Sequence, residues 1–207
     1  MTYGRQLGVL ESKFSEVEDF DRIFGPVPRD DTLRNVRANN ANSAIKKVLW
    51  AQKVFNPEIT GLEDADWALH WMQRGQRIVY MPDAAIHHIH EETWPQVRRR
   101  YFREAVAARR MGLLGRRHIP REVSRDFRRM LADLARCFKP GRNPVAERLS
   151  LAQRLLDVIL FRINKMSGMI RGLTEQNPLF TRAAQEEVFF ERRNRAVVIH
   201  GPGKARL

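Results

Sequence analysis

From Thr93 to Ile170 apolar residues recur at helical spacing, and arginine fills the faces between them. A 3.6-residue period commits this stretch to helices, each with one stripe to bury. Thr93, with Pro95 in the first turn and Gln96 three positions on, opens a helix through Val97, Tyr101, Ala105 and Ala108. A second starts near Pro120 and puts Val123, Phe127, Met130, Leu131, Leu134 and Phe138 on one side. The break Lys139-Pro140-Gly141-Arg142-Asn143-Pro144 ends it. A third, from about Val145 to Ile170, carries Leu149, Leu155, Leu156, Ile159, Ile163, Met166 and Ile170. Past Thr174 the pattern is mixed, with a short helix expected around Ala183 to Arg192 and a loose Gly201-Pro202-Gly203 end.

Ahead of residue 96 the chain mixes short elements. Residues 1–40 lack strong periodicity; Glu16-Val17-Glu18-Asp19 is an acidic patch, and Gly25-Pro26-Val27-Pro28 begins a loop. A helix is expected from Asn42 to Val54 on the spacing of Ile45, Val48 and Leu49, capped by Asn42 or Ser43. The next follows Thr60-Gly61-Leu62-Glu63, which spells a capping box, buries Trp67, Trp71 and Met72, and ends at Gly75. Arg77 to Tyr80 and Ala85 to His90 read as extended stretches separated by a Pro82-Asp83 turn. The expected organisation is an α/β part over 1–96, a basic helical region over 97–173 and a tail over 174–207. So few strands suggest that the α/β layer is only part of a sheet.

Charge follows the same division. Residues 1–96 hold 11 Lys and Arg against 14 Asp and Glu, whereas 97–207 hold 26 against 10, so the halves carry −3 and +16. A basic half with apolar stripes suits an anionic membrane surface or a nucleic acid. No nucleic acid is expected, because zinc-finger spacing, an RNA-recognition strand motif and a helix-turn-helix are all lacking. Cys137 is the single cysteine, so neither an internal disulfide nor a multi-cysteine metal site can form, and its apolar helical position suits a buried thiol. The N-terminus has no apolar run of a secretory signal. Asp157 and Arg162 interrupt the greasiest segment, far short of the roughly 20 apolar residues that span a bilayer.

Two constellations carry chemistry. Glu63, Asp64 and Asp66 gather at a helix start, where the helix dipole and free N–H groups welcome carboxylates. Capping and general-base catalysis demand the same placement, and composition does not separate them. His88 and His90 fall on one strand face near Glu91 and Glu92, which suits a divalent cation as well as a hydrogen-bonded pair in a half-buried strand.

The order Tyr3-Gly4-Arg5-Gln6, Asn39-Asn40-Ala41-Asn42-Ser43-Ala44-Ile45, Thr60-Gly61-Leu62-Glu63-Asp64 with Trp67-Ala68, Ile78-Val79-Tyr80-Met81-Pro82-Asp83-Ala84 and His88-Ile89-His90 resembles the second half of bacterial family 2 glycosyltransferases. The likeness spans about residues 1–110 closely. It implies a partial GT-A fold, an α/β sheet followed here by the basic helical extension, and inverting transfer from a nucleotide-sugar donor to a glycan or lipid-linked acceptor. By this resemblance Asp64 is the base and Glu63 its support, Asn42 and Ser43 border the donor and acceptor cleft, and His88, then His90, helps hold a Mn or Mg ion. The family's Asp-x-Asp, which binds the metal diphosphate, lies upstream of the Tyr-Gly-Arg-Gln strand. Asp19-Phe20-Asp21 and Asp64-Ala65-Asp66 match only its spelling. The nucleotide-binding half is therefore expected to be a segment cut from this chain, a separate chain with this one as its transferase or non-catalytic partner, or lost from a decayed remnant. The resemblance implies a cytoplasmic protein, peripheral on the inner membrane face.

Overall fold

The computed structural model describes residues 1–139, 141 and 143–176; the helix expected around Ala183 to Arg192 lies outside them. β1 (Thr2–Leu7) and β4 (Val79–His87) run parallel at the centre of a mixed sheet. Two-residue strands β2 (Arg29–Asp30) and β3 (Ser43–Ala44) close its edges antiparallel, in the order β2-β4-β1-β3. The described residues thus form a mixed α/β structure, with six α-helices: α1 (Phe14–Ile23), α2 (Lys47–Gln52), α3 (Glu63–Met72), α4 (Trp94–Arg110), α5 (Ile119–Phe138) and α6 (Leu151–Thr174). Among the described residues no helix is long and apolar enough to cross a membrane.

The stretches expected as two strands parted by a turn are one strand. Gly4 pairs with Met81 and Arg5 with Ala85, so Pro82, Asp83 and Ala84 bulge out of a ladder that resumes beyond them. Likewise, the helix expected over Asn42–Val54 is shorter. A 3₁₀ turn at Asn40–Asn42 and the edge strand β3 occupy its beginning, leaving only Lys47–Gln52 helical. Trp67, Trp71, Tyr3 and Tyr80 join Phe20 and Phe24 in the core beneath the sheet.

Helix α1 departs most from the sequence expectation. Its acidic residues are not a solvated face: Glu16, Glu18 and Asp19 are buried. Glu16 meets Arg100 at 2.9 Å and Glu18 meets Arg136 at 2.9 Å. Phe14 and Val17 share a cluster with Cys137, Val145 and Val158, so the change of composition at residue 96 is not a packing boundary. Cys137 is fully buried, and its Sγ–H donates to the Asp133 carbonyl at 3.3 Å.

The helical layer centres on α6. One side meets α4 at Gly168 and Gly172, where an added Cβ would overlap the carbonyl oxygens of Arg98 and Phe102. Backbones this close pack only because both residues lack a side chain. On its other side, Val123 clusters with Met169 and Leu173, and Leu134 with Val158, making α5 and α6 an antiparallel hairpin. The face that α5 buries carries Glu122, Asp126, Asp133 and Cys137, and of the expected apolar set only Val123, Met130 and Leu134 pack against the cores, at its margin. Phe127, Leu131 and Phe138 are exposed.

Charges explain that inversion. Arg162 of α6 is wholly buried; its Nη2 donates to Asp19 at 2.7 Å and to Asp133 at 2.5 Å, and its Nε to Asp133 at 3.1 Å. Lys165 Nζ reaches Asp19 at 2.7 Å, and Arg22 of α1 binds Asp19 and Asp133. Burial pushes the Asp19 carboxyl up, but Lys165, Arg162 and Arg22 outweigh it and hold it well below the usual carboxylate range.

Arg162→Met leaves Asp19 and Asp133 with only Arg22 and Lys165 to satisfy them in a buried site and should cost about 3–5 kcal/mol in urea unfolding at neutral pH. Because its native pKa is depressed, Asp19 contributes stability above its unfolded value of about 3.9 and loses it as pH falls. The penalty of Arg162→Met should therefore shrink below about pH 4. An undiminished penalty would mean that the guanidinium acts through packing alone.

Candidate functional site

Asp64 sits in the first turn of α3, and the local sequence explains how it is held. The expected Thr60–Glu63 capping box does not form: α3 starts at Glu63 with Leu62 as its N-cap. Glu63 turns back instead, its Oε2 accepting from Gly61 N at 2.6 Å, which fixes the approach to the helix. Asp66 pairs with Lys53 at 3.2 Å, and Trp67 Nε1 donates to the Lys53 carbonyl at 2.6 Å. Of the three acids at this helix start, Asp64 alone faces the segment 39–43.

Its two oxygens accept backbone N–H groups, Oδ1 from Ala65 at 2.8 Å and Oδ2 from Asn40 at 2.9 Å. Burial raises the carboxyl to about 6; those N–H bonds pull it down and the neighbouring Glu63 charge adds to the rise. The group is mostly ionised at neutral pH and basic enough to take a proton, which a surface carboxylate does poorly.

The Asn40 amide is positioned from the sheet. Gln6 of β1 donates Nε2–H to Asn39 Oδ1 at 2.5 Å, and the same oxygen accepts from Ala41 N at 2.9 Å. Asn42 Nδ2 donates to the Ala84 carbonyl on the β4 bulge at 2.6 Å, while Ser43 Oγ donates to Asn40 Oδ1 at 3.2 Å. Asn42 and Ser43 therefore hold the loop that carries the Asn40 amide. Gly4 is required here because any Cβ would overlap both Ala84 O and Asn42 Nδ2. Tyr3 OH donates to Asp31 at 2.7 Å and Arg5 pairs with Asp21 of α1 at 3.3 Å, so of the Tyr-Gly-Arg-Gln strand only Gly4 and Gln6 act on this loop.

Beside Asn40 opens a cleft of about 440 Å³, lined also by Ile45, Lys47, Trp50 and Phe55. The rings of Trp50 and Phe55 meet edge to face at 4.7 Å. Apolar ring faces beside an amide and an ammonium are the mixed lining that binding sites for polar ligands use. Sequence reasoning missed Trp50 and Phe55 as parts of the site, and the links of Gln6 to Asn39 and of Asn40 to Asp64, 33 and 24 residues apart, leave no local period.

His88 and His90 are brought together just beyond β4, their rings 4.6 Å apart and both resting on Phe20. Burial lowers both, His90 to about 3, and nearby Arg100 lowers them further. A cationic neighbour and an aromatic floor fit a divalent cation poorly. Among the described residues no three His, Cys, Asp or Glu gather closely enough to hold a metal. Neither Asp-x-Asp spelling offers a metal site: Asp19 and Asp21 serve ion pairs, and Asp66 holds Lys53. Comparison with protein-family models, curated proteins and solved structures returns no match.

Gly4→Ala should force β1 away from the bulge at a cost of about 1–3 kcal/mol, read as a lowered melting temperature. An unchanged melting temperature would show that the Ala84 carbonyl moves aside freely.

Proposed function

We propose that this chain is the acceptor-side part of a GT-A glycosyltransferase of the family 2 type, inverting a sugar transferred from a nucleotide-sugar donor to a glycan or lipid-linked acceptor. What supports this most is Asp64: a carboxylate with a raised pKa, fixed by two backbone N–H groups, one of them from Asn40, which lines a cleft with aromatic walls. In the reaction the acceptor hydroxyl oxygen attacks the anomeric carbon from the face opposite the nucleotide. The bond from that carbon to the diphosphate oxygen breaks, and the diphosphate leaves with the electron pair. The hydroxyl proton goes to Asp64.

Glu63 acts in this scheme by fixing the Gly61 turn and by its negative charge, which helps keep Asp64 basic. Trp50 and Phe55 offer stacking surfaces for the apolar face of a sugar ring. The described residues supply no Asp-x-Asp at a strand end, so donor binding is assigned to a nucleotide-binding unit outside them, in a longer form of this protein or on another chain. No step here runs through a metal ion.

Tryptophan fluorescence should report glycan binding by the chain alone, with Trp50→Ala abolishing the signal. Transfer should require the nucleotide-binding unit, and vigorous nucleotide-sugar hydrolysis by the chain alone would contradict that division. In the combined system Asp64→Asn should lower kcat by about 10²–10⁴ while donor affinity holds. The wild-type rate should climb with pH and level off above about 6, as Asp64 loses its proton. Turnover retained in Asp64→Asn would place the base elsewhere.

A further inference from the structure

The α5–α6 hairpin is turned inside out in charge. α5 carries Glu122, Asp126 and Asp133, and all three are buried. Its cations Arg121, Arg125, Arg128 and Arg136 are exposed, as is Lys139 at its end. Beside them Phe127, Leu131 and Phe138 are 50%, 51% and 65% exposed. Spacings of four and seven residues set these three on one strip, which also contains Leu134.

α6 presents a matching strip of exposed Leu156, Ile159, Ile163 and Ile170, adjoining Leu155. Leu134 and Leu155 pack into one cluster, so the two strips flank a single seam on the outside of the hairpin. The result is a continuous apolar band with a cationic margin and no exposed carboxylate on α5. A soluble surface rarely carries such a band without a partner.

We infer that this band is a docking surface for an anionic lipid bilayer, with the hairpin lying in the plane of the interface. The apolar strips enter the boundary between headgroups and acyl chains, and Arg121, Arg125, Arg128, Arg136 and Lys139 meet the lipid phosphates. Charge decides the occupant. A second copy would bring a cationic margin against its own like, whereas an anionic bilayer complements margin and band together. Neither helix can span the bilayer, so attachment is peripheral. The inference rests on the hairpin and not on Asp64, so sugar transfer and lipid binding succeed or fail separately.

The experiment is vesicle co-sedimentation of the full chain at physiological salt, using phosphatidylglycerol-containing vesicles and pure phosphatidylcholine ones. Binding to the former and not the latter is expected. The triple change Phe127→Ser, Leu131→Ser and Phe138→Ser should weaken binding about tenfold or more, as should Arg128→Gln with Lys139→Gln. These side chains are exposed, so circular dichroism and melting temperature should be unchanged. No sedimentation with anionic vesicles would overturn the inference, as would binding indifferent to the serine changes. A dimer in light scattering that the serine changes convert to monomer would assign the band to a second copy. RNA retention that competes with vesicles and ignores those changes would assign the basic margin to nucleic acid; either result refutes the lipid reading.

Discussion

Everything in this structure is arranged around one buried cation. Arg162 has no exposed surface, and its guanidinium joins Asp19 of α1 to Asp133 of α5 from its place on α6. A guanidinium in a dry interior is costly unless opposed carboxylates satisfy it, and their geometry must be held by well-packed backbones. Three helices are thereby obliged to meet at one point. The close approach of α4 to α6 at Gly168 and Gly172 fixes the remaining side of that junction. The obligation also explains why α5 shows its aromatic residues to the outside: its inner face is taken up by the acids that Arg162 and Lys165 require.

This internal pairing limited what could be read from the sequence. Helices α4, α5 and α6 were legible because their apolar period is strong and Thr93 and Gln96 mark a start. On α5 the half of the stripe at Val123, Met130 and Leu134 was legible, and the exposure of the other half was not. A rule that places apolar residues inside picks Phe127 and Phe138, and only knowledge of Arg162 opposite Asp133 reverses it. Helix α1 escaped for the same reason, since Glu16, Glu18 and Asp19 look like a solvated patch until their partners at 100, 136 and 162 are known.

The candidate site was legible in its centre and not in its support. Asp64 stood out as a carboxylate at a helix start, and the structure adds the amides of Ala65 and Asn40 and the raised pKa. Gln6, Asn39 and Asn40 form a relay from strand to loop to carboxylate that no spacing rule announces, since each link joins separate parts of the chain. The Tyr-Gly-Arg-Gln tetrapeptide proves to be scaffolding: its glycine admits the bulge and its glutamine steers the loop. The histidines were expected on one strand face, but the strand ends at His87 and they meet just beyond it, where Phe20 beneath them and Arg100 beside them, beyond any local reading, set their chemistry.

The separation between Asp19 and Arg162, 143 positions along the chain, has a consequence for synthesis. A ribosome adding about 5–20 residues each second needs roughly 7–30 seconds to deliver the arginine after the aspartate has been made. During that interval Arg100 and then Arg136 emerge to receive Glu16 and Glu18, while Asp19 still waits for the cations of α6. The junction of α1, α5 and α6 therefore cannot close until α6 has been made, long after α1.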